Sequence, residues 1–303
     1  MNENILILGT GALATLFAAR LGAAGAQVTM LGTWEAGLDA LGRDGARLVN
    51  GGGRELKGRV RVVRDPQAAR GTKAALVLVK AWQTERAARQ LADCLAEDGL
   101  AVTLQNGLGN DEVLAAALGR ERVALGVTTT GATLLGPGLA RAGGEGTVSI
   151  QMHPRLEPIE DALREARFNL EIVERAEPLV WGKLVINAAI NPLTALLRVP
   201  NGELLKRPAA RALMNALAEE TAAVAAAQRV RLPFDDPGTA AESVAQKTAA
   251  NHSSMFQDVR RGAPTEIDAI CGAVTRIGNR HAIPTPVNRV CWQLVQSIVP
   301  VAA

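Results

Sequence analysis

Apolar and polar positions alternate in blocks along the first half of the chain. Residues 4–8 form a short, nearly all-apolar run, the pattern of a strand covered on both faces. Residues 12–24 carry helical spacing and end at Gly25, a residue suited to a helix C-terminus. Further strand-like runs fall at residues 27–31, 74–79, 100–104, 123–130, 147–152 and 170–173. Helical patterns lie between some of them, at residues 84–97 and from about Asp111. Pro137, Gly138, Gly143, Gly144 and Gly146 read as turns between two of the strands. This alternation predicts an α/β unit, a mostly parallel, doubly wound sheet with helices on both faces.

From Pro178 onward strand signals vanish and apolar-periodic helices take over. They are expected at residues 178–190, 208–230, 239–249, 254–261, 265–281 and 286–298, with prolines punctuating them. Asn191 before Pro192 is a natural stop for the first of these. Thr265-Glu266-Ile267-Asp268 resembles a capping signature that opens another. The expected division is an α/β domain over residues 1–175 and an all-α domain over residues 176–303.

Composition narrows the function classes. A chain of 303 residues suits two domains, and 48% hydrophobic with 21% charged residues excludes disorder and collagen. Aromatics reach only 3% and the net charge of +3 is scattered, which argues against a nucleic-acid partner. Three distant cysteines without a CxxC, and three dispersed histidines, suggest neither a metal site nor a disulfide framework. The N-terminus has no basic segment ahead of its apolar stretch, so an export signal is not expected. No run reaches the roughly 18 apolar residues of a membrane helix, so no membrane partner is expected and a cytoplasmic location is.

Chemistry enters at Gly9-Thr10-Gly11-Ala12-Leu13-Ala14, which follows a predicted strand and opens a helix. This GxGxxA is the fingerprint of a Rossmann dinucleotide site. Gly9 permits a tight turn, Gly11 lets backbone approach a pyrophosphate, and Ala14 lets the helix pack close to the strand. The helix N-terminus supplies N–H groups and a partial positive charge to the phosphates. At the end of the second strand an acid favours NAD and an arginine favours NADP. Thr33 stands there instead, suited to either a hydroxyl or a phosphate, and Arg43 follows at a distance. Trp34 either packs on the sheet edge or stacks on an adenine. Lys80 and Asn106 come just after buried strands, at the carboxyl ends where open α/β sheets bind ligands. Thr129, Thr130 and Thr133 follow another strand and are weaker candidates.

Four segments together resemble the 2-dehydropantoate 2-reductase (ketopantoate reductase) family. They are the Gly9-Thr10-Gly11 turn; Val79-Lys80-Ala81-Trp82-Gln83 with Leu104-Gln105-Asn106-Gly107-Leu108-Gly109; the run Lys183 to Ala195 with Pro200-Asn201-Gly202-Glu203-Leu204; and Asn251 to Val259 with Thr265-Glu266-Ile267-Asp268. The resemblance spans the chain, in order. It implies a Rossmann domain followed by a helical domain of the 6-phosphogluconate dehydrogenase-like type. It also implies reduction of ketopantoate to pantoate by NADPH, in pantothenate and coenzyme A biosynthesis.

Hydride transfer to a ketone builds negative charge on its oxygen, which needs a proton or a hydrogen bond. The resemblance makes Lys183 the proton donor and Glu266 a functional carboxylate near it. Lys183, Asn187 and Asn191 are spaced i, i+4, i+8 and line one face if the helix persists. Asn187, Asn191 and Asn201 match substrate-contacting positions of the family, and Ser254 matches a carboxylate-binding serine with Asn251 one turn before it. Asn201 is also a natural turn residue, Ser253 and Ser254 natural helix caps, and Glu266 a natural first-turn acid. Where NADPH-using members carry an arginine, Thr33 stands here, so the cofactor is expected to be NADP with NAD open. A paralogue acting on another small 2-oxo acid would keep most of these residues. A non-catalytic dinucleotide-binding regulator would have lost Lys183 or the asparagines, and this chain keeps them. A homodimer through the helical half is compatible with the sequence.

Overall fold

The computed structural model describes residues 4–299; the outer ends of the two expected domains, residues 1–3 and 300–303, lie outside the described residues. The chain divides into two compact units. One holds the described residues up to Gln105 and Asn110–Ala176; the other holds Asn106–Gly109 and the described residues from Glu177 onward.

In the first unit, eight strands form one sheet in the order Asn169–Val173, Thr147–Gln151, Val123–Thr128, Leu95–Thr103, Thr72–Val77, Asn4–Leu8, Gln27–Leu31 and Arg61–Val63. All neighbours run parallel except Thr147–Gln151 against Val123–Thr128. Strand side chains alternate between faces, and here both faces are buried. Ile5, Ile7, Met30 and Leu76 pack with helix Ala12–Ala23 on one side. Leu6, Leu8, Leu31 and Val77 pack with Ala87, Leu91 and Leu114 of helices Thr84–Cys94 and Asn110–Leu118 on the other. The fold is thus the mostly parallel, two-faced sheet that the alternation predicts, with an all-helical unit after it.

Several elements depart from expectation. A second, four-stranded sheet orders Glu55–Gly58, Ala46–Val49, Leu139–Ala142 and Ala132–Gly136. Its hairpin Ala132–Gly136/Leu139–Ala142 occupies part of the stretch expected to be turns. This sheet lies over helix Ala12–Ala23 so closely that a Cβ at Gly58 would stand 2.6 Å from the Ala19 carbonyl oxygen. Its strands are short and Glu55, Leu56 and Lys57 are all exposed, so alternation could not reveal them. The edge strand Arg61–Val63 of the main sheet and helices Glu35–Asp44 and Glu157–Glu165 are likewise outside the expected elements.

In the helical unit, helix Glu177–Leu197 packs against helices Pro208–Ala227, Pro237–Lys247, Ser254–Arg260 and Pro286–Ile298. It does not stop at Asn191. It runs through Pro192, because Leu193, Thr194 and Ala195 beyond it are buried. The Thr194 hydroxyl lies 2.9 Å from the Ile190 carbonyl and 3.0 Å from that of Asn191, which braces the turn that proline weakens. The same continuity makes this helix long and apolar enough to cross a membrane by length and composition, which corrects the expectation that no segment reaches that measure. Most of its apolar window is buried within the protein instead, as in a core helix. The expected helix over residues 265–281 is also different. It begins as a π-turn, Asp268–Gly272, and becomes α-helical only over Ala273–Arg280.

All three cysteines are buried and unbridged. Among the described residues, no group of three His, Cys, Asp or Glu side chains is placed to hold a metal ion.

Candidate active site

The strand Asn4–Leu8 delivers the chain into a turn at Gly9, whose φ of +120° only glycine adopts readily. A Cβ there would also stand 3.1 Å from the Leu78 carbonyl oxygen, and the Gly9 N–H is taken by the Leu31 carbonyl at 2.9 Å. Gly11 is the N-cap of helix Ala12–Ala23, and no side chain caps that helix. A Cβ at Gly11 would meet nothing within 4 Å. The turn is therefore an open cradle below uncapped N–H groups, with Ala12 and Leu13 partly exposed and Ala14 buried, and a dinucleotide pyrophosphate fits it. The Thr10 side chain is buried against Gly32, where a Cβ would come within 2.9 Å of the threonine methyl. That contact sets the glycine turn beside the end of the second strand, where Thr33 is exposed.

Trp34 is exposed, with part of its ring over Gly37 of its own helix. Arg43, at the other end of that helix, pairs with Asp44 at 2.8 Å. Lys80 precedes a single 3-10 turn, Ala81–Gln83, and its backbone N–H donates to Gln83 Oε1 at 3.3 Å. Thr133 stands in the four-stranded sheet rather than in the sheet that carries the glycine turn.

The second cluster lies wholly within the helical unit. Glu266 is 5% exposed, and its Oε2 accepts a 3.0 Å hydrogen bond from Asn106 Nδ2. Asn106 is held there by its neighbours. Leu108 N–H donates to the Ala269 carbonyl at 3.0 Å, and Gly107 (φ +83°) lies so near that a Cβ would stand 2.5 Å from the same oxygen. The π-turn that supplies this carbonyl begins two residues after Glu266; such turns concentrate at functional sites. Lys183 is partly buried on helix Glu177–Leu197, and loss of water around its ammonium pushes its pKa down to about 8, against the opposing pull of the Glu266 charge. Because the helix persists, Asn187 and the buried Asn191 share its face.

Asn201 opens the 3-10 turn Asn201–Leu204 and is 7% exposed. Its N–H donates to the Asn251 carbonyl at 3.0 Å and its Nδ2 to Thr248 Oγ1 at 2.9 Å, while its buried Oδ1 has no hydrogen-bond partner. Asn251 is exposed at its side chain. The cap of helix Ser254–Arg260 is Ser253, whose Oγ accepts from the Phe256 N–H at 3.1 Å, which leaves Ser254 as the first helical residue.

Two family models match the chain. One, described as ketopantoate reductase PanE/ApbA, covers residues 5–155, and the other, its C-terminal counterpart, covers residues 175–299. The chain belongs to the ketopantoate reductase family. It is 37% identical over 301 residues to the 2-dehydropantoate 2-reductase of Archaeoglobus fulgidus, covering 98% of each chain. It is 34% identical to that of Halobacterium salinarum, covering 96% of this chain and 97% of the relative. Among solved structures it matches a PanE/ApbA family ketopantoate reductase from Ralstonia eutropha JMP134 with a TM-score of 0.91 at 31% identity, covering 98% of both chains. It matches D-mandelate dehydrogenase with NADH and anilino(oxo)acetate with a TM-score of 0.90 at 25% identity, again covering 98% of both. Ketopantoate reductases are nicotinamide-dinucleotide-dependent oxidoreductases.

Against that family background, three supporting residues stand out that spacing could not reveal. Gln105 is buried, and its Nε2 reaches the Val79 carbonyl at 3.0 Å and Thr84 Oγ1 at 2.8 Å, which ties the strand end before Asn106 to the segment carrying Lys80. Thr194 Oγ1 lies 2.7 Å from Ser253 Oγ, joining the lysine helix to the start of the Ser254 helix. Thr248, the partner of Asn201, is the third. Gln105 and Thr194 lie inside the resembling segments and Thr248 just before one, but local spacing gives none of them a role.

Proposed function

We propose that this protein reduces 2-dehydropantoate to pantoate, a step of pantothenate and coenzyme A biosynthesis, with Lys183 as the proton donor. The observation that carries the reading is the Lys183, Glu266 and Asn106 cluster: an ammonium made more acidic by burial, beside a buried carboxylate already anchored by an amide. A reduced nicotinamide dinucleotide supplies the hydride when bound. The chain's own residues do the rest. Gly9 to Ala14 hold the pyrophosphate, with Thr33, Lys80 and Thr133 proposed to contact the same cofactor. Lys183 gives its proton to the ketone oxygen as negative charge develops there. Glu266 keeps the ammonium charged and oriented, and the Asn106 amide fixes the carboxylate, alongside the cofactor contact proposed for it. Asn187 and Asn191 extend the donor row toward the substrate's oxygens. Asn201, with its unpartnered Oδ1, suits the substrate hydroxyl, and Ser254 with Asn251 suits the carboxylate. NADPH is the family's expected donor, and Thr33 in place of an arginine leaves NADH open.

A second reading, reduction of a different 2-oxo acid, is favoured by the likeness to D-mandelate dehydrogenase. Steady-state reduction of 2-dehydropantoate with each cofactor, in wild type and Lys183→Ala, tests both. Turnover by wild type and loss of about 10²-fold or more in the variant is expected, within the range of a general acid. An undiminished variant rate removes Lys183 from the chemistry. An inert wild type that reduces another 2-oxo acid moves the protein to the second reading.

A further inference from the structure

The end of the second strand carries no arginine of its own, but the fold brings one there from elsewhere. Strands Gln27–Leu31 and Arg61–Val63 run parallel, with Leu31 opposite Val63. The next residues along that edge are Gly32, against which Thr10 of the phosphate turn is packed, and Arg64. Arg64 is not idle. Its Nε donates to Glu35 Oε2 at 2.9 Å, and its guanidinium also pairs with Asp39. Glu35 and Asp39 lie one turn apart on helix Glu35–Asp44, so they present two carboxylates from one face to a single guanidinium. The cluster is exposed and net negative.

We propose that Arg64, Glu35 and Asp39 form the element that discriminates at the 2′ position of the adenosine ribose, and that they set the protein to favour NADH. The inference rests on the dinucleotide reading of the Gly9 turn. A 2′-phosphate arriving at this edge meets two carboxylates, and Arg64 is already neutralised by them. A 2′-hydroxyl meets no such penalty, and a carboxylate can accept from it. The same layout holds a latent phosphate site: removing the two negative charges frees Arg64 for bidentate contact with a phosphate.

The test is calorimetric titration of NADH and NADPH into the full chain without substrate, in wild type, E35Q/D39N, and E35Q/D39N/R64A. Wild type is expected to bind NADH roughly tenfold or more tighter than NADPH, the scale of a like-charge contact. E35Q/D39N is expected to shift the ratio of dissociation constants toward NADPH by about tenfold, and the added R64A to cancel that shift. All three side chains are exposed, so folding is not at stake; single D39N gives a smaller shift of the same sign. A wild type that prefers NADPH, or a ratio that E35Q/D39N leaves unmoved, overturns the proposal. Because binding is read without turnover, a chain that shows the expected ratios yet fails to reduce 2-dehydropantoate sinks the substrate reading and not this one.

Discussion

Lys183, the proposed acid, differs from an ordinary lysine. With its pKa lowered to about 8 by burial, it is charged at neutral pH yet yields its proton readily. The donor is the protonated form, so kcat/KM for the reduction is expected to hold below about pH 8 and fall as pH rises through it. A pH–rate profile that stays flat to pH 10 contradicts the assignment. The Glu266 charge raises the Lys183 pKa, in opposition to burial. Glu266→Gln should therefore lower kcat and also move the alkaline fall to lower pH. A loss of rate with an unmoved profile would leave Glu266 with a purely structural part.

Elements hold these residues by close approach rather than by propensity. The clip between residues 106–109 and the π-turn Asp268–Gly272 depends on Gly107, which combines φ of +83° with no room for a Cβ. Gly107→Ala is expected to destabilise the protein by about 1–3 kcal/mol. It should also lower activity, because Asn106 is carried by the same clip; denaturant unfolding and kcat measured together check both. Ser253 both caps its helix and meets Thr194 of the lysine helix. Loss of the cap in Ser253→Ala should cost about 1 kcal/mol. A melting temperature equal to wild type would show the cap to be dispensable.

At the scale of the molecule, folding and the cofactor binding proposed for the glycine turn can be separated at that turn. Gly11 has an ordinary negative φ and open space around its Cβ position, so Gly11→Ala should leave the stability of the cofactor-free chain equal or slightly raised. The same methyl stands where backbone must approach the pyrophosphate. In wild type, cofactor at about a hundred times its Kd adds about 2.7 kcal/mol of stability by mass action. Thermal shift with and without NADH and NADPH should show that gain in wild type and its loss in Gly11→Ala. A retained gain would mean that the phosphates lie elsewhere.

The pattern of apolar blocks by itself determined seven of the eight strands of the main sheet, the change to helices after residue 176, and the glycine turn at its place between strand and helix. Those features rest on local periodicity and backbone freedom, which a sequence carries openly. The lysine and its asparagines were legible as a helical stripe, although only burial of Leu193 and Ala195 decided that the helix survives Pro192. The four-stranded sheet, the π-turn after Glu266, the Asn106–Glu266 bond and the placing of Arg64 opposite Glu35 and Asp39 belong to tertiary structure alone. All but the π-turn join residues far apart in the chain, and the π-turn is itself clipped to Leu108; strand register or close backbone packing, which no local spacing encodes, determines which of them meet.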